Sequence, residues 1–288
     1  MKADLYEPQT VGDFVQYVKR FPGRYNEFPE KFRRGFEESY AKYEKWCRED
    51  PIYYLKPNLA QFRLFTQFNK DGHMPRSLML EGSNKVGKSY IGVSWQIAMA
   101  VGFYPWLDPE RNTEYWHFDF DPNWKIYREI LKYCGFSSYD EVSDRFFQIA
   151  GKLIPNLKVP NVNLAIGETF VESVDKDLVP KYLELIPKDW KPVSKKSQQG
   201  IINKITLTAG PGKGSIFYFR SFKSTADEFE GIDTSGSILW NEPPPEDIVI
   251  AVSRGSMPFD TRALFAYTSL KEAWIYRDYV NKASKWLI

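Results

Sequence analysis

The sequence predicts an α/β domain with a mainly parallel central sheet flanked by helices, preceded by a helical N-terminal extension. Two observations predict it. A short apolar run, Ser77-Leu78-Met79-Leu80-Glu81, leads into the glycine-rich turn EGSNKVGKS and then into a largely apolar stretch over 90–101, free of Gly and Pro apart from Gly92. Strand, turn and helix in that order make a phosphate-binding βα unit. Beyond it, strand-like and helix-like segments alternate, the pattern of a sheet built from parallel crossovers.

Residues 1–55 read as polar and helical. Phe36, Tyr40, Tyr43 and Cys47 recur at helical spacing with Glu and Lys between them. Asp50-Pro51 breaks the pattern. This part is expected to pack onto a main domain over 56–288. In that domain, strands are expected at 77–81, 115–120, 204–208, 215–222, 237–240 and 262–267. Helices are expected at 90–101, 124–134, 140–150 and 245–253. Residues 152–200, rich in Pro, Lys and Asn, read as irregular decoration.

Composition adds limits. Of 288 residues, 43% are hydrophobic and 26% charged, which suits a folded globular chain. Aromatics reach 17%, and such an excess usually fills cores. A formal net charge of +2 does not announce a nucleic-acid binder, though it permits a local basic groove. Cys47 and Cys134 have no metal-ligand spacing and read as reduced thiols. The N-terminus lacks an apolar signal core, and no run of 18 apolar residues marks a membrane span.

Gly82, Ser83, Asn84, Lys85, Val86, Gly87, Lys88 and Ser89 fit G-x-x-x-x-G-K-[ST]. Glycines let the backbone curl so that successive N–H groups aim at phosphate oxygens. The following helix adds the positive end of its dipole. Lys88 is expected at the β- and γ-phosphates and Ser89 on Mg²⁺. The expected ligand is a nucleoside triphosphate, foremost ATP.

Hydrolysis needs an acidic strand end to hold Mg²⁺ through water and to orient an attacking water. The candidate is Ser237-Ile238-Leu239-Trp240-Asn241-Glu242, followed by three prolines. Glu242 is the candidate base. Asn241 stands where an acid is expected. Its amide still accepts a hydrogen bond from a metal-bound water, but it supplies no negative charge. An introduced Asp-to-Asn change and a natural copy with altered activity both fit.

With these pieces in place, the chain resembles the ATPase part of a large terminase subunit, the DNA-packaging motor of tailed phages. The resemblance is carried, in the family's order, by KPNLAQF (56–62), EGSNKVGKSY (81–90), IAMAVGFYPW (97–106), GSIFYFRSF through DEFEGID (214–233), ILWNEPPP (238–245) and FAYTSLKEAWIY (265–276). It spans roughly 56–280. Asn241 departs from the usual acid, and Ser269 from the usual Thr-Pro pair.

The resemblance implies a RecA-like fold of the ASCE class of P-loop NTPases, with ATP and Mg²⁺ as ligands. It makes Gln61 the adenine reader, whose carboxamide offers paired donor and acceptor contacts. It makes Thr268 the coupling residue that senses the γ-phosphate. Lys85 would act in cis as a catalytic cation, and Arg254 or Arg220 on a neighbouring subunit. Glu230 occupies the place before Gly231 where some relatives carry arginine. The implied partners are double-stranded DNA, a portal protein and a small terminase subunit. A ring of five copies on the portal is implied, or a monomer when isolated, in the host-cell cytoplasm and transiently at the procapsid.

Relatives continue into a nuclease domain, for which no segment is expected here. Lys188, Lys191, Lys195, Lys196, Lys204, Lys213 and Lys223 are either a sequence-independent DNA-backbone contact or a solvated loop. Asp119 and Asp121 flank a strand end and read as a turn before a metal site. His73 and His117 carry no assigned chemistry. A helicase-like translocase and a nucleotide-binding module that does not hydrolyse are the alternatives.

Overall fold

Strand β6 (Ser237–Asn241) is buried at all five positions. An unbroken apolar run is what a parallel strand covered on both faces requires. A computed structural model describes residues 30–55, 57, 59–67, 74–82, 87–107, 152–198, 200–225, 228–229 and 231–268. Within them β6 lies in a seven-stranded sheet. The order is β1 (Ser77–Glu81), β7 (Arg262–Tyr267), β6, β2 (Val162–Gly167), β5 (Ile216–Ser221), β4 (Ile202–Leu207) and β3 (Pro192–Lys196). The first five are parallel; β4 pairs antiparallel to β5 and β3 antiparallel to β4, so only β4 is reversed. The expected mainly parallel α/β sheet is therefore present. The strand before the phosphate turn is separated from the Asn241 strand by β7.

Helix α1 (Glu30–Glu49) occupies the expected N-terminal helical region. After the break at Pro51, Ile52, Tyr53 and Leu55 enter the main core, and Tyr53 meets Trp190 edge-on at 6.0 Å. Helix α2 (Leu59–Phe65) adds Phe62, Leu64 and Phe65 to the same core.

Helix α3 (Lys88–Val101) is buried almost throughout, which accounts for apolar text on every side of it. It lies so close to the sheet that a β-carbon on Gly92 would stand 2.8 Å from Leu239 Cδ1. Gln96 fixes the depth of the helix. Its amide nitrogen donates to the carbonyls of Leu164 (3.0 Å) and Ser237 (3.2 Å), and its oxygen accepts from the Tyr182 hydroxyl. On the opposite face, helix α5 (Glu246–Ser256) lays Ile248, Val249 and Val252 over Ile238, Trp240 and Phe265. Trp240 stacks on Phe265 with ring centroids 5.9 Å apart. Such pairs contribute about 0.5–1.5 kcal/mol beyond area burial.

The structure corrects the reading of 152–200. That stretch holds the central strand β2, a π-helical segment (Phe170–Leu178), helix α4 (Val179–Leu185) and edge strand β3. Asn163 concealed β2, because a polar residue mid-strand breaks the apolar run. It is fully buried, donates to Asn161 Oδ1 (2.7 Å) and accepts from Ser237 Oγ (2.7 Å), so its burial carries little penalty. The strands and helices expected at 204–208, 215–222, 237–240 and 245–253 are observed with ends shifted by up to three residues, and the strand expected at 262–267 is observed with those ends. Those expected at 115–120, 124–134 and 140–150 lie outside the described residues, as does Cys134. Among the described residues no helix is long and apolar enough to cross a membrane.

Candidate nucleotide-binding site

Parallel strands all end on one side of the sheet, and the candidate residues gather there. β1 stops at Glu81, and the Gly82 N–H donates to the Tyr267 carbonyl (3.2 Å), which ties the start of the loop to the end of β7. Ser83, Asn84, Lys85 and Val86 lie outside the described residues. Gly87 closes the loop with φ +85°, a left-handed conformation that glycine adopts without a steric penalty. Its carbonyl accepts the first bond of α3, from the Ile91 N–H (3.0 Å).

Lys88 is the first residue of α3 and is buried. Its ammonium turns back across the loop and donates to the Gly82 carbonyl (2.8 Å). A lysine this buried needs an acceptor at its tip. This contact keeps the ammonium at Gly82, where the turn after β1 begins. Ser89, half-buried, follows Lys88 in the first turn of α3. Gln61 reaches the same place from α2. Its Nε2 lies 3.5 Å from the point a β-carbon on Gly87 would occupy.

Two strands away, β6 ends at Asn241, which is buried and pairs in register with Ala266 and Gly167. Its amide nitrogen donates to Asp177 Oδ2 (3.3 Å). The other carboxylate oxygen of Asp177 is paired with Lys181. Glu242 follows with φ +94°, a region costing roughly 1–3 kcal/mol for a non-glycine residue. The fold holds it there through the Glu242 N–H to the Ala266 carbonyl (3.0 Å) and through the prolines that follow. Thr268, half-buried, comes directly after β7, between the loop and Glu242 in strand order.

The donor set fits a magnesium ion brought in on a triphosphate. The Ser89 hydroxyl and Asn241 Oδ1 are hard oxygen donors, as that ion prefers. Among the described residues no cluster of three His, Cys, Asp or Glu side chains forms a closed metal cage.

The proposed arginines are not brought to this site. Helix α5 runs back from the strand ends and carries exposed Arg254 about 12 Å away along its axis. Arg220 is engaged within its own chain. Its Nη1 donates to the Phe219 carbonyl (2.8 Å), its Nε faces Glu228 (3.8 Å) and its guanidinium lies 5.8 Å from the Tyr218 ring centre. Burial lowers its basicity, against the attraction of Glu228.

The lysines divide into separate groups. Lys195 pairs across the strands with Lys204, whose ammonium sits 5.2 Å from the centre of the Tyr218 ring; Lys196 follows on the same hairpin. Lys188 and Lys191 belong to the turn at the opposite end of β3, near the Lys213 turn. Lys223 follows β5. His73, His117, Asp119 and Asp121 lie outside the described residues. Sequence reading missed Asp177 and Lys181, since both fall in the stretch read as loops.

No family model matches the chain, and no curated protein does. Solved structures with a similar fold include the large terminase of a thermophilic bacteriophage, at 13% identity over 77% of this chain and 41% of that one, TM-score 0.43. The same terminase in complex with ADP matches at 15% identity over 77% and 42%, TM-score 0.42. The large terminase ATPase domain of a Thermus phage matches at 13% identity over 79% and 70%, TM-score 0.42. The chain thus spans less than half the length of the first of these terminases.

Proposed function

We propose that the chain is an ATPase whose phosphate loop, Gly82 to Ser89, holds the triphosphate of ATP. We propose further that it acts as the motor domain of a DNA-packaging terminase. One observation carries the first part: the Lys88 ammonium, buried and turned onto the Gly82 carbonyl at 2.8 Å, stands ready across a loop that opens a helix. Binding ATP exchanges that carbonyl for phosphate oxygens, a stronger acceptor for an ammonium. Magnesium carried on the triphosphate would neutralise phosphate charge. Ser89 and Asn241 are the residues that would face it.

In this reading Glu242 accepts the proton of the attacking water. Its positive φ holds the carboxylate at the strand end, and none of the described residues engages it. Thr268 lies between Glu242 and the loop by strand order, and would report loss of the γ-phosphate. Gln61 would read the base, and Lys85 would act as a cation in cis. Arg254, distant from its own site, would serve only a neighbouring copy.

The terminase assignment draws its support from the ordered motifs between Lys56 and Tyr276 and from a sheet in which β7 separates β1 from β6. Double-stranded DNA, a portal, a small subunit and a ring of copies at the procapsid in the host cytoplasm follow from that assignment. The test is phosphate release by the full chain with and without double-stranded DNA, beside ATP affinity. DNA-stimulated release supports the motor. ATP affinity unchanged in Lys88→Ala would sink the phosphate-loop assignment. A second reading, a nucleotide-binding module that does not hydrolyse, is favoured by Asn241; tight ATP binding with no phosphate release, even with DNA present, would establish it.

A further inference from the structure

We propose that Asp177 supplies what position 241 lacks: it turns the Asn241 amide one way and places a fixed negative charge beside the end of β6. The inference rests on the ATPase reading above and names a positioning residue for that site.

The geometry begins with the π-helical segment Phe170–Leu178, which leaves the carboxyl end of β2. Such wide turns are rare and recur at functional sites. This one delivers Asp177 to a residue 64 positions away, with Asn241 Nδ2 at 3.3 Å from Asp177 Oδ2. Lys181, one helical turn further on, pairs with Oδ1 of the same carboxylate and fixes it.

A primary amide has a donor end and an acceptor end. Facing a carboxylate, only the nitrogen end is stable. Asn241 Oδ1 is therefore the atom turned away from Asp177, and among the described residues it accepts no hydrogen bond. An asparagine without such a partner could equally present its nitrogen, which repels a cation and cannot accept from a metal-bound water. Asp177 removes that choice. Its charge also remains one hydrogen bond from where the usual acid would sit, and a Coulomb interaction falls only inversely with distance.

The same geometry reverses the simple expectation for Asn241→Asp. That change sets two carboxylates within hydrogen-bonding distance while Lys181 pairs with the far carboxylate oxygen of Asp177, and like charges so placed repel. Restoring the usual acid is productive only when Asp177 becomes an amide.

The experiment compares four full-length proteins: the parent, Asn241→Asp, Asp177→Asn and the double exchange. Each is measured for thermal unfolding, for affinity toward a fluorescent ATP analogue with and without Mg²⁺, and for phosphate release. Asn241→Asp is expected to lower the unfolding temperature. Asp177→Asn is expected to reduce the Mg²⁺-dependent gain in affinity about tenfold while leaving Mg²⁺-free binding unchanged. The double exchange is expected to recover stability and Mg²⁺ dependence beyond the sum of the single changes, the mark of direct coupling. Additive effects, or Asn241→Asp alone performing as well as the double exchange, would overturn the proposal. Lys88→Ala is the control: if it weakens ATP binding while the four proteins are additive, only the role of Asp177 fails. If Lys88→Ala has no effect, the ATPase reading itself fails.

Discussion

The carboxamide of Gln61 packs on Gly87, its nitrogen 3.5 Å from the point a β-carbon on that glycine would occupy. A residue 26 positions upstream thus meets the glycine that precedes α3. Gln61→Ala is expected to keep ATP binding but to erode its preference over GTP. One hydrogen bond to the base is about 1 kcal/mol, so the ratio of affinities falls by up to roughly tenfold. Competition titrations with the two nucleotides measure it.

Lys88 makes a charge-assisted contact with the Gly82 carbonyl, which bound ATP is proposed to replace with phosphate oxygens. Hydrogen bonds to charged groups contribute about 1.5–3 kcal/mol. Lys88→Ala should therefore weaken ATP by one to two orders of magnitude in a fluorescence titration. AMP, which lacks the outer phosphates, should bind equally to both proteins.

Glu242 combines backbone strain with the role of base proposed for it, and two substitutions separate them. Glu242→Gln keeps the shape and removes the base; phosphate release should fall by about 10²–10⁴ with ATP affinity unchanged. Glu242→Gly removes the positive-φ penalty as well, and should raise unfolding stability by about 1 kcal/mol while abolishing release. Urea unfolding read beside phosphate release distinguishes the two.

Gly92 sets how closely α3 approaches β6. Gly92→Ala gains about 1 kcal/mol of helix propensity and meets Leu239 at 2.8 Å, so the two effects nearly cancel. Gly92→Val adds bulk that the fully buried Leu239 cannot clear, at about 1–3 kcal/mol. Leu239→Ala in the Gly92→Val background should recover part of that loss in thermal unfolding, because it opens the contested space.

Much of this was legible because some residues announce their backbone. Gly82 and Gly87 bracket the turn that joins β1 to α3, and the apolar run Ile238–Trp240 marks the buried centre of β6. Strand β2 was hidden because Asn163 is a buried polar residue satisfied by Asn161 and Ser237, partners that only the fold supplies. Asp177 was hidden for a related reason: its meaning depends on a π turn carrying it to Asn241 across 64 positions. The lysines looked like one basic tract, but the β3–β4 hairpin sends its two ends to opposite sides of the sheet. Sequence proximity of like charges says nothing about where a strand reversal leaves them.

The pairing of β1 with β7 has a consequence for biogenesis. The two strands run in register from Ser77 opposite Ala263 to Glu81 opposite Tyr267, and their lower ends are joined by Arg76 and Asp260, 184 positions apart. Contacts so remote in sequence form late, because the intervening chain must first be gathered. During synthesis the glycine turn emerges early but has nothing to rest on until β7 leaves the ribosome. The proposed nucleotide binding would thus wait for β7, so fragments truncated before residue 262 should lack it.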